Sequence, residues 1–104
     1  MSIVKVITRR LIHTYNYESS KLLLNELTSK ANQSEGYIKS SYHIGDIQND
    51  NYNIYTMSEW YLKQNWEDWY KSEQRLNIIN KYDNIIINES NNILFRIKND
   101  IFLL

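Results

Sequence analysis

The sequence predicts a single α+β domain with the element order βαββαβ and an antiparallel sheet. Three observations support this prediction. The first is that several segments have the alternation or the β-branched composition of a strand, and the second is that two others repeat apolar residues every three or four positions. The third observation is the length of 104 residues, which suits one domain with a sizeable core. Residues 1–104 are therefore expected to fold as one unit.

The first strand and the first helix are predicted in the N-terminal third of the chain. Residues 3–12 are rich in Ile and Val on both faces, which predicts a strand covered by helices on one side and by a partner on the other. Three basic residues interrupt this apolar pattern: Lys5, Arg9 and Arg10. A helix should follow, capped by Asn16 or Ser19 and ending near Gly36. Its apolar residues at helical spacing are Leu22, Leu23, Leu27 and Ala31.

The second and third strands are predicted over residues 37–44 and 51–60, joined as a hairpin. The second strand should place Ile38, Tyr42 and Ile44 on one face and Tyr37, Lys39, Ser41 and His43 on the other. The third should place Tyr52, Ile54 and Trp60 opposite Tyr55 and Met57. The turn between them depends on Asn and Asp, which tolerate the left-handed conformation that a tight turn needs.

The last third of the chain is expected to supply a helix and a C-terminal strand or hairpin. The helix should begin near Lys63, run or restart through Ile78, and end near Tyr82. Residues 85–87 and 93–97 predict strand segments separated by a bulge, a bend or a turn. Two β-α-β crossovers that share an antiparallel sheet form a ferredoxin-like fold. The apolar residues 101–104 are expected to pack on a partner subunit.

Composition excludes several classes of function. Twelve basic and twelve acidic residues cancel, so nothing in the charge favours nucleic acid or an anionic membrane as a partner. The chain has no cysteine and therefore no disulfide or thiolate site. No signal-peptide pattern is present, and no apolar run approaches the roughly 20 residues that span a bilayer. We expect a cytoplasmic protein without nucleic-acid or membrane partners.

The tryptophans are the most informative side chains. Trp60, Trp66 and Trp69 are the only three, and they lie within one stretch of ten residues. Trp66, Trp69 and Tyr70 fall on one side of the second helix, which predicts an aromatic-lined cavity for a flat apolar ligand. The same tryptophans are expected to anchor the helix on the sheet.

Few polar residues are candidates for chemistry, because phosphate loops, nucleophile elbows and paired carboxylates are absent from the sequence. His43 could act as a general base or contact a ligand, or could be a polar residue at the sheet rim. Arg9 and Arg10 point to opposite faces, so one of them should face the helices and need an anionic ligand or a carboxylate such as Glu59. No metal site is predicted, because His13 and His43 lie on different strands without other ligands at a suitable spacing.

The string W-x5-W-x2-W, followed by Tyr70, Lys71 and Ser72, resembles the signature of the antibiotic biosynthesis monooxygenase (ABM) domain family. Gly36 and Tyr37 are similar to the Gly-aromatic pair that opens the second strand in that family. The resemblance implies a ferredoxin-like domain, a homodimer whose sheets form an α/β barrel, and a ligand pocket between sheet and helices.

The resemblance also implies a monooxygenase that acts without metal or flavin on a flat aromatic or quinol-type small molecule. The residues expected to bind the substrate are Trp66, Trp69, Tyr70 and Tyr37. His43 or Arg9 would assist proton removal or stabilise an oxyanion. An alternative is a non-catalytic ligand-binding or stress-associated dimer of the same fold.

A third alternative is a protein that binds or degrades haem with a non-standard ligand set. Haem-degrading members of the family use an asparagine, a tryptophan and a histidine. The corresponding positions here are Arg9, Trp69 and Ile79, so two of the three residues are missing. No cofactor is therefore expected, and haem held by a different ligand such as His43 is the alternative that stays open.

Overall fold

The computed structural model describes residues 3–96 and contains one four-stranded antiparallel sheet with three helices. The strands are β1 (Ile3–His13), β2 (Tyr37–Ile44), β3 (Asn51–Trp60) and β4 (Ile86–Arg96). The helices are α1 (Tyr17–Ala31), α2 (Lys63–Lys71) and α3 (Glu73–Lys81), with single 3-10 turns at Thr14–Asn16 and Asp83–Ile85. The strand order β2-β3-β1-β4 gives two β-α-β crossovers and confirms the predicted ferredoxin-like α+β fold.

The two faces of the sheet differ in burial. Even-numbered positions of β1 lie under the helices, where Val4 pairs with Trp60 and Val6 with Ser58. The face that carries Ile7, Arg9, Leu11, Tyr55 and Met57 is less buried and is called the open face below. The core between sheet and helices includes Val4, Val6, Leu23, Leu27, Trp60, Trp69, Ile78 and Ile85. A smaller cluster consists of Ile12, Leu24, Tyr52 and Ile54.

The first helix and the hairpin turn differ only slightly from the prediction. Asn16 is the residue that precedes α1, but its side chain makes no capping hydrogen bond. Leu22 is exposed, whereas Leu24 is buried on the sheet. In the turn after β2, Asn49 and Asp50 adopt the left-handed conformation with φ of 53° and 62°, as predicted for these residue types.

The predicted faces of β2 are wrong at its first residue. A bulge between Tyr37 and Lys39 shifts the pairing with β3, so that Tyr37 lies beside Trp60 on the helix side. His43 pairs with Tyr55 and Ser41 with Met57, which places both on the open face. Tyr37 and His43 are therefore on opposite sides of the sheet, contrary to the expectation that they share a face.

The C-terminal segment is a single strand with one bulge, which is one of the predicted alternatives, although the bulge precedes residues 88–92 rather than lying within them. β4 pairs with β1 from Ile3 opposite Arg96 to Ile12 opposite Ile86, and the only irregularity is a register shift beside Leu11 and Ile12. The asparagine-rich residues 88–92 are thus paired strand residues. The predicted packing of residues 101–104 on a partner concerns residues outside those that the structure describes. None of the helices within residues 3–96 is long and apolar enough to cross a membrane.

Candidate functional site

A cavity lies between the sheet and the helices α1 and α2. It offers about 50 Å³ to the centres of water-sized molecules and is partly open to solvent. A single water needs on the order of 10–15 Å³ by this measure, so the cavity in this conformation holds only a few waters. Its polar lining includes Thr8, Ser40, Thr56, Ser58 and Asn91. A ring system can occupy it only if part of the wall moves.

One wall of the cavity is aromatic. Trp60 is fully buried, its ring is 6.4 Å from that of Trp69 at 27°, and its indole N–H donates to Ser58 Oγ at 3.0 Å. Tyr37 meets Trp60 edge to face at 5.2 Å, and its hydroxyl is hydrogen-bonded to Ser40 Oγ at 2.6 Å. Trp60 and Trp69 thus form a rigid floor, because neither ring has room to rotate.

The outer part of this wall is less tightly held. Trp66 and Tyr70 are half-buried on α2, with ring centroids 5.1 Å apart. The Arg75 guanidinium lies 4.2 Å from the centre of the Tyr70 ring, which is within the range of a cation–π contact. These two rings are the part of the wall that can move with the smallest loss of packing.

The cavity lining also contains two buried arginines that share one carboxylate, and one of them, Arg75, adjoins the Tyr70 ring. Arg10 Nε donates to Glu89 Oε2 at 2.8 Å, and Arg75 Nη2 donates to Glu89 Oε1 at 2.8 Å. Arg10 is 4% exposed and Arg75 is 5% exposed. Burial lowers the pKa of Arg10 from its usual value, the Glu89 carboxylate opposes this change, and the Arg75 cation reinforces it. The guanidinium of arginine nevertheless stays protonated in proteins.

Local structure orients both arginines. Arg10 Nη1 donates to Thr56 Oγ1 at 3.3 Å across the β1–β3 pair. Ser72 separates α2 from α3, and its Oγ accepts the backbone N–H of Arg75 at 3.2 Å as an N-cap. Arg75 Nη1 then donates to the Tyr70 carbonyl at 3.3 Å. Because of the break between the helices, the Arg75 guanidinium on α3 lies against the C-terminal end of α2.

The structure brings together four of the predicted site residues and separates two. Trp66, Trp69, Tyr70 and Tyr37 all line the cavity, and their binding of a substrate stays a prediction. Arg9 and His43 do not line it, because they lie on the open face, opposite Tyr55 on either side of β3. Their expected placement in the pocket is wrong, since a shift of one residue along a strand exchanges its two faces.

Sequence reasoning identified the buried arginine only in part. One of the adjacent arginines does face the helices, and it is Arg10, but its carboxylate partner is Glu89 rather than Glu59. Arg75 was not predicted at all. The signal that could have found Glu89 is its spacing from Asn91 and Ile93, which alternate with it on the helix side of β4.

Metal and haem ligands are not assembled at this site. No group of three His, Cys, Asp or Glu residues that could hold a metal occurs within residues 3–96. The position expected for the haem-degrading asparagine, Arg9, is on the open face, and Ile79 supplies no ligand atom. Of the three positions expected for the haem-degrading set, only Trp69 lines the cavity, and His43 lies on the open face.

Comparison of the fold with solved structures gives clear matches. A protein from Methanosarcina mazei is 15% identical, with a TM-score of 0.76 over 90% of this chain and 92% of that chain. A candidate antibiotic biosynthesis monooxygenase from Nitrosomonas europaea is 10% identical, with a TM-score of 0.72 over 88% of both chains. The fold is that of the antibiotic biosynthesis monooxygenases.

A further match has a named activity. SnoaB, a cofactor-independent oxygenase from Streptomyces nogalater, is 8% identical, with a TM-score of 0.67 over 89% of this chain and 90% of that chain. No family model and no curated protein sequence matches this chain. The likeness to the ABM structures thus concerns the fold, and the chemistry has to be argued from the side chains in the cavity.

Proposed function

We propose that this protein is an ABM-like oxygenase that uses O2 to oxidise a flat aromatic small molecule, of phenol or quinol type, without a bound cofactor. The observation that carries the proposal is the cavity itself, in which the rings of Trp66, Trp69 and Tyr70 face polar groups of the sheet. A flat apolar body with a polar edge is the ligand that such a lining suits. The shared fold with SnoaB, a cofactor-independent oxygenase, supports the same reaction class.

The reaction is balanced without a further oxidant. A phenol gives up its O–H proton, and the phenolate supplies the electrons that reduce O2 as a C–O bond forms at a ring carbon that bears hydrogen, opposite or next to the hydroxyl. The peroxide takes up a proton. Its O–O bond then breaks as water leaves with the ring hydrogen, and a quinone remains. One phenol and one O2 become one quinone and one water. The protein would hold the ring in place and exclude bulk water.

Binding requires the cavity to widen. The described conformation leaves about 50 Å³, which is too small for an aromatic ring. Trp66 and Tyr70 are half-buried and form the outer wall, so rotation of these two side chains would open the space above Trp69. Trp60 would stay in place because it is fully buried.

Oxygen consumption with a panel of phenols, naphthols and quinols tests the proposal. Uptake of one O2 per quinone formed is expected, and Trp66→Leu should reduce it strongly because the ring wall is lost. Tyr61→Leu is the matched control, since Tyr61 is 52% exposed and does not line the cavity. An absence of uptake across the panel, with a protein shown to be folded, would refute the proposal.

A non-catalytic ligand-binding protein is the second candidate. It is favoured by one observation: within residues 3–96, no histidine, aspartate or glutamate lines the cavity, so no side chain there is a ready general base. In this case an aromatic ligand would bind and be recovered unchanged. Recovery of the intact ligand after aerobic incubation would favour this candidate over the oxygenase.

We also propose that the protein forms a homodimer through the open face. Ile7 and Met57 are paired apolar residues at the centre of this face, Leu11 lies beyond Arg9 on the same strand, and the Lys39–Glu59 pair has Nζ and Oε2 3.9 Å apart. Apolar side chains at the centre of a sheet face are best buried against an identical copy. Native mass spectrometry should give a dimer for the wild type and a monomer for Met57→Lys. Leu22→Lys, on exposed helix surface, should leave the dimer intact.

A further inference from the structure

The charged residues of the cavity are unbalanced. Among the residues that the structure describes, Arg10 and Arg75 are the charged side chains that line it, and both are nearly completely buried. They share a single carboxylate, Glu89, so the three residues together carry one net positive charge. Burial of an uncompensated charge is costly unless an opposite charge or water approaches it. The cavity is the space through which that compensation can come.

Hydrogen-bond donors on these arginines also remain available. A guanidinium has five N–H groups. In the part of the chain that the structure describes, Arg10 uses two of its nitrogens, for Glu89 and Thr56, and Arg75 uses two, for Glu89 and the Tyr70 carbonyl. Each arginine thus keeps N–H groups without a partner within residues 3–96, and these remain available to a ligand while both contacts to Glu89 are retained. Arginine forms its strongest contacts with planar anionic groups, which accept two parallel hydrogen bonds.

We propose that the cavity binds its aromatic ligand as an anion, with a carboxylate or phenolate oxygen held by Arg10 and Arg75. This inference rests on the proposed function, because it assigns the substrate class of the same site. The rings of Trp66 and Tyr70 contact the flat part of the ligand, and the guanidinium groups contact its charged edge. A ligand bound as a phenolate has already lost the proton whose removal begins the proposed oxidation, which accounts for a cavity lining without a histidine or carboxylate among the described residues.

A matched pair of ligands tests the inference directly. Isothermal titration calorimetry under nitrogen would compare 2-naphthoate with 2-naphthamide, which have nearly the same shape and differ in charge. A charged hydrogen bond exceeds a neutral one by enough to make naphthoate bind about tenfold more tightly. Equal affinity, or no binding of naphthoate at millimolar concentration, would overturn the inference.

Three variants test whether the preference for naphthoate depends on the buried arginines and Glu89. Arg75→Met should reduce the ratio of the two affinities to about one, because one of the two cations is lost and the other is neutralised by Glu89. Arg9→Met is the matched control. It removes the same charge from the residue next to Arg10 in sequence, which lies on the open face, and it should leave the ratio unchanged. A preference that survives Arg75→Met, or disappears in Arg9→Met, contradicts the assignment.

Glu89→Gln covers the case in which the arginine variants do not fold. It removes the carboxylate that competes for both guanidinium groups, so the preference for naphthoate should increase severalfold. A decrease would overturn the inference. Because binding is measured without O2, the two proposals fail separately. A preference for naphthoate without turnover of any phenol would refute the oxygenase proposal and support the anion site. Turnover of phenols without that preference would refute the anion site and support the oxygenase proposal.

Discussion

Substitution of Gly36 by alanine should be one of the most damaging single changes in this chain. Gly36 has φ of +79°, a conformation that costs a residue with a Cβ roughly 1–2 kcal/mol. A methyl group there would also lie 2.6 Å from Asn65 Cβ and still closer to the Asn65 amide. The Asn65 side chain would have to move, and its Oδ1 would lose the backbone N–H of Leu62, now at 3.1 Å.

The expected cost follows from these contributions. Loss of the hydrogen bond from the Leu62 N–H to the Asn65 side chain, at the start of α2, contributes about 1 kcal/mol. Together with the backbone strain this predicts that Gly36→Ala lowers the free energy of unfolding by about 2–3 kcal/mol. For a domain of this size, Tm should fall by roughly 10 °C or more.

Urea unfolding followed by tryptophan fluorescence measures this cost in a double-mutant cycle. In an Asn65→Gly background the clash and the capping bond are already gone, so Gly36→Ala should cost only the strain, about 1–2 kcal/mol. Gly45→Ala is the control, because a Cβ there would make an ordinary contact of 3.4 Å with Tyr55. If Gly36→Ala costs the same in both backgrounds, the contact with Asn65 does not hold α2 in place, and the reasoning is refuted.

Three other substitutions test separate parts of the fold. Trp60→Ala should cost about 3–5 kcal/mol in urea unfolding, because Trp60 is completely buried. Ser72→Ala should cost about 1 kcal/mol in the same assay, since Ser72 Oγ accepts the Arg75 N–H at 3.2 Å. Tyr82→Phe should weaken the acid dependence of Tm: the hydrogen bond from Tyr82, and then that from Lys81, hold the pKa of Glu26 below its usual value. That stabilisation is present above the unfolded pKa of about 4.3 and is lost as pH falls through the folded pKa, so the variant and the wild type should converge below about pH 4.

The fold was predictable because each strong periodicity in the sequence is compatible with only one kind of element, a helix or a strand. The apolar spacing of α1, the alternation in β3 and the aromatic spacing of α2 were all read correctly as helix or strand. The restart of the second helix at Ser72 was left open in the prediction, and an N-cap hydrogen bond decides it. The sequence pattern alone does not show whether a serine within a helical stretch will cap a new helix or face solvent.

The candidate site was less predictable because its charged half depends on register. The period of a strand is two, so the bulge beside Tyr37 reverses the face of that one residue relative to His43. Residues 88–92 have the composition of a turn, yet pairing with β1 makes them strand. Glu89 reaches Arg10 only through this pairing, and its contact with Arg75 needs the positions of both α3 and β4.

Three residues that contradict simple sequence rules lie at or beside the cavity. Arg10 occupies a helix-facing position of a central strand, Asn91 stands where an apolar residue would pack, and Arg75 is buried on a helix that otherwise packs through Ile78. Buried ion pairs contribute little to stability compared with apolar residues of similar volume. A fold selected for stability alone would place aliphatic side chains at these three positions. Departures of this kind are expected where a site needs charge and polarity at the cost of packing. This coincidence supports the proposed role of Arg10 and Arg75 without reference to the fold comparison.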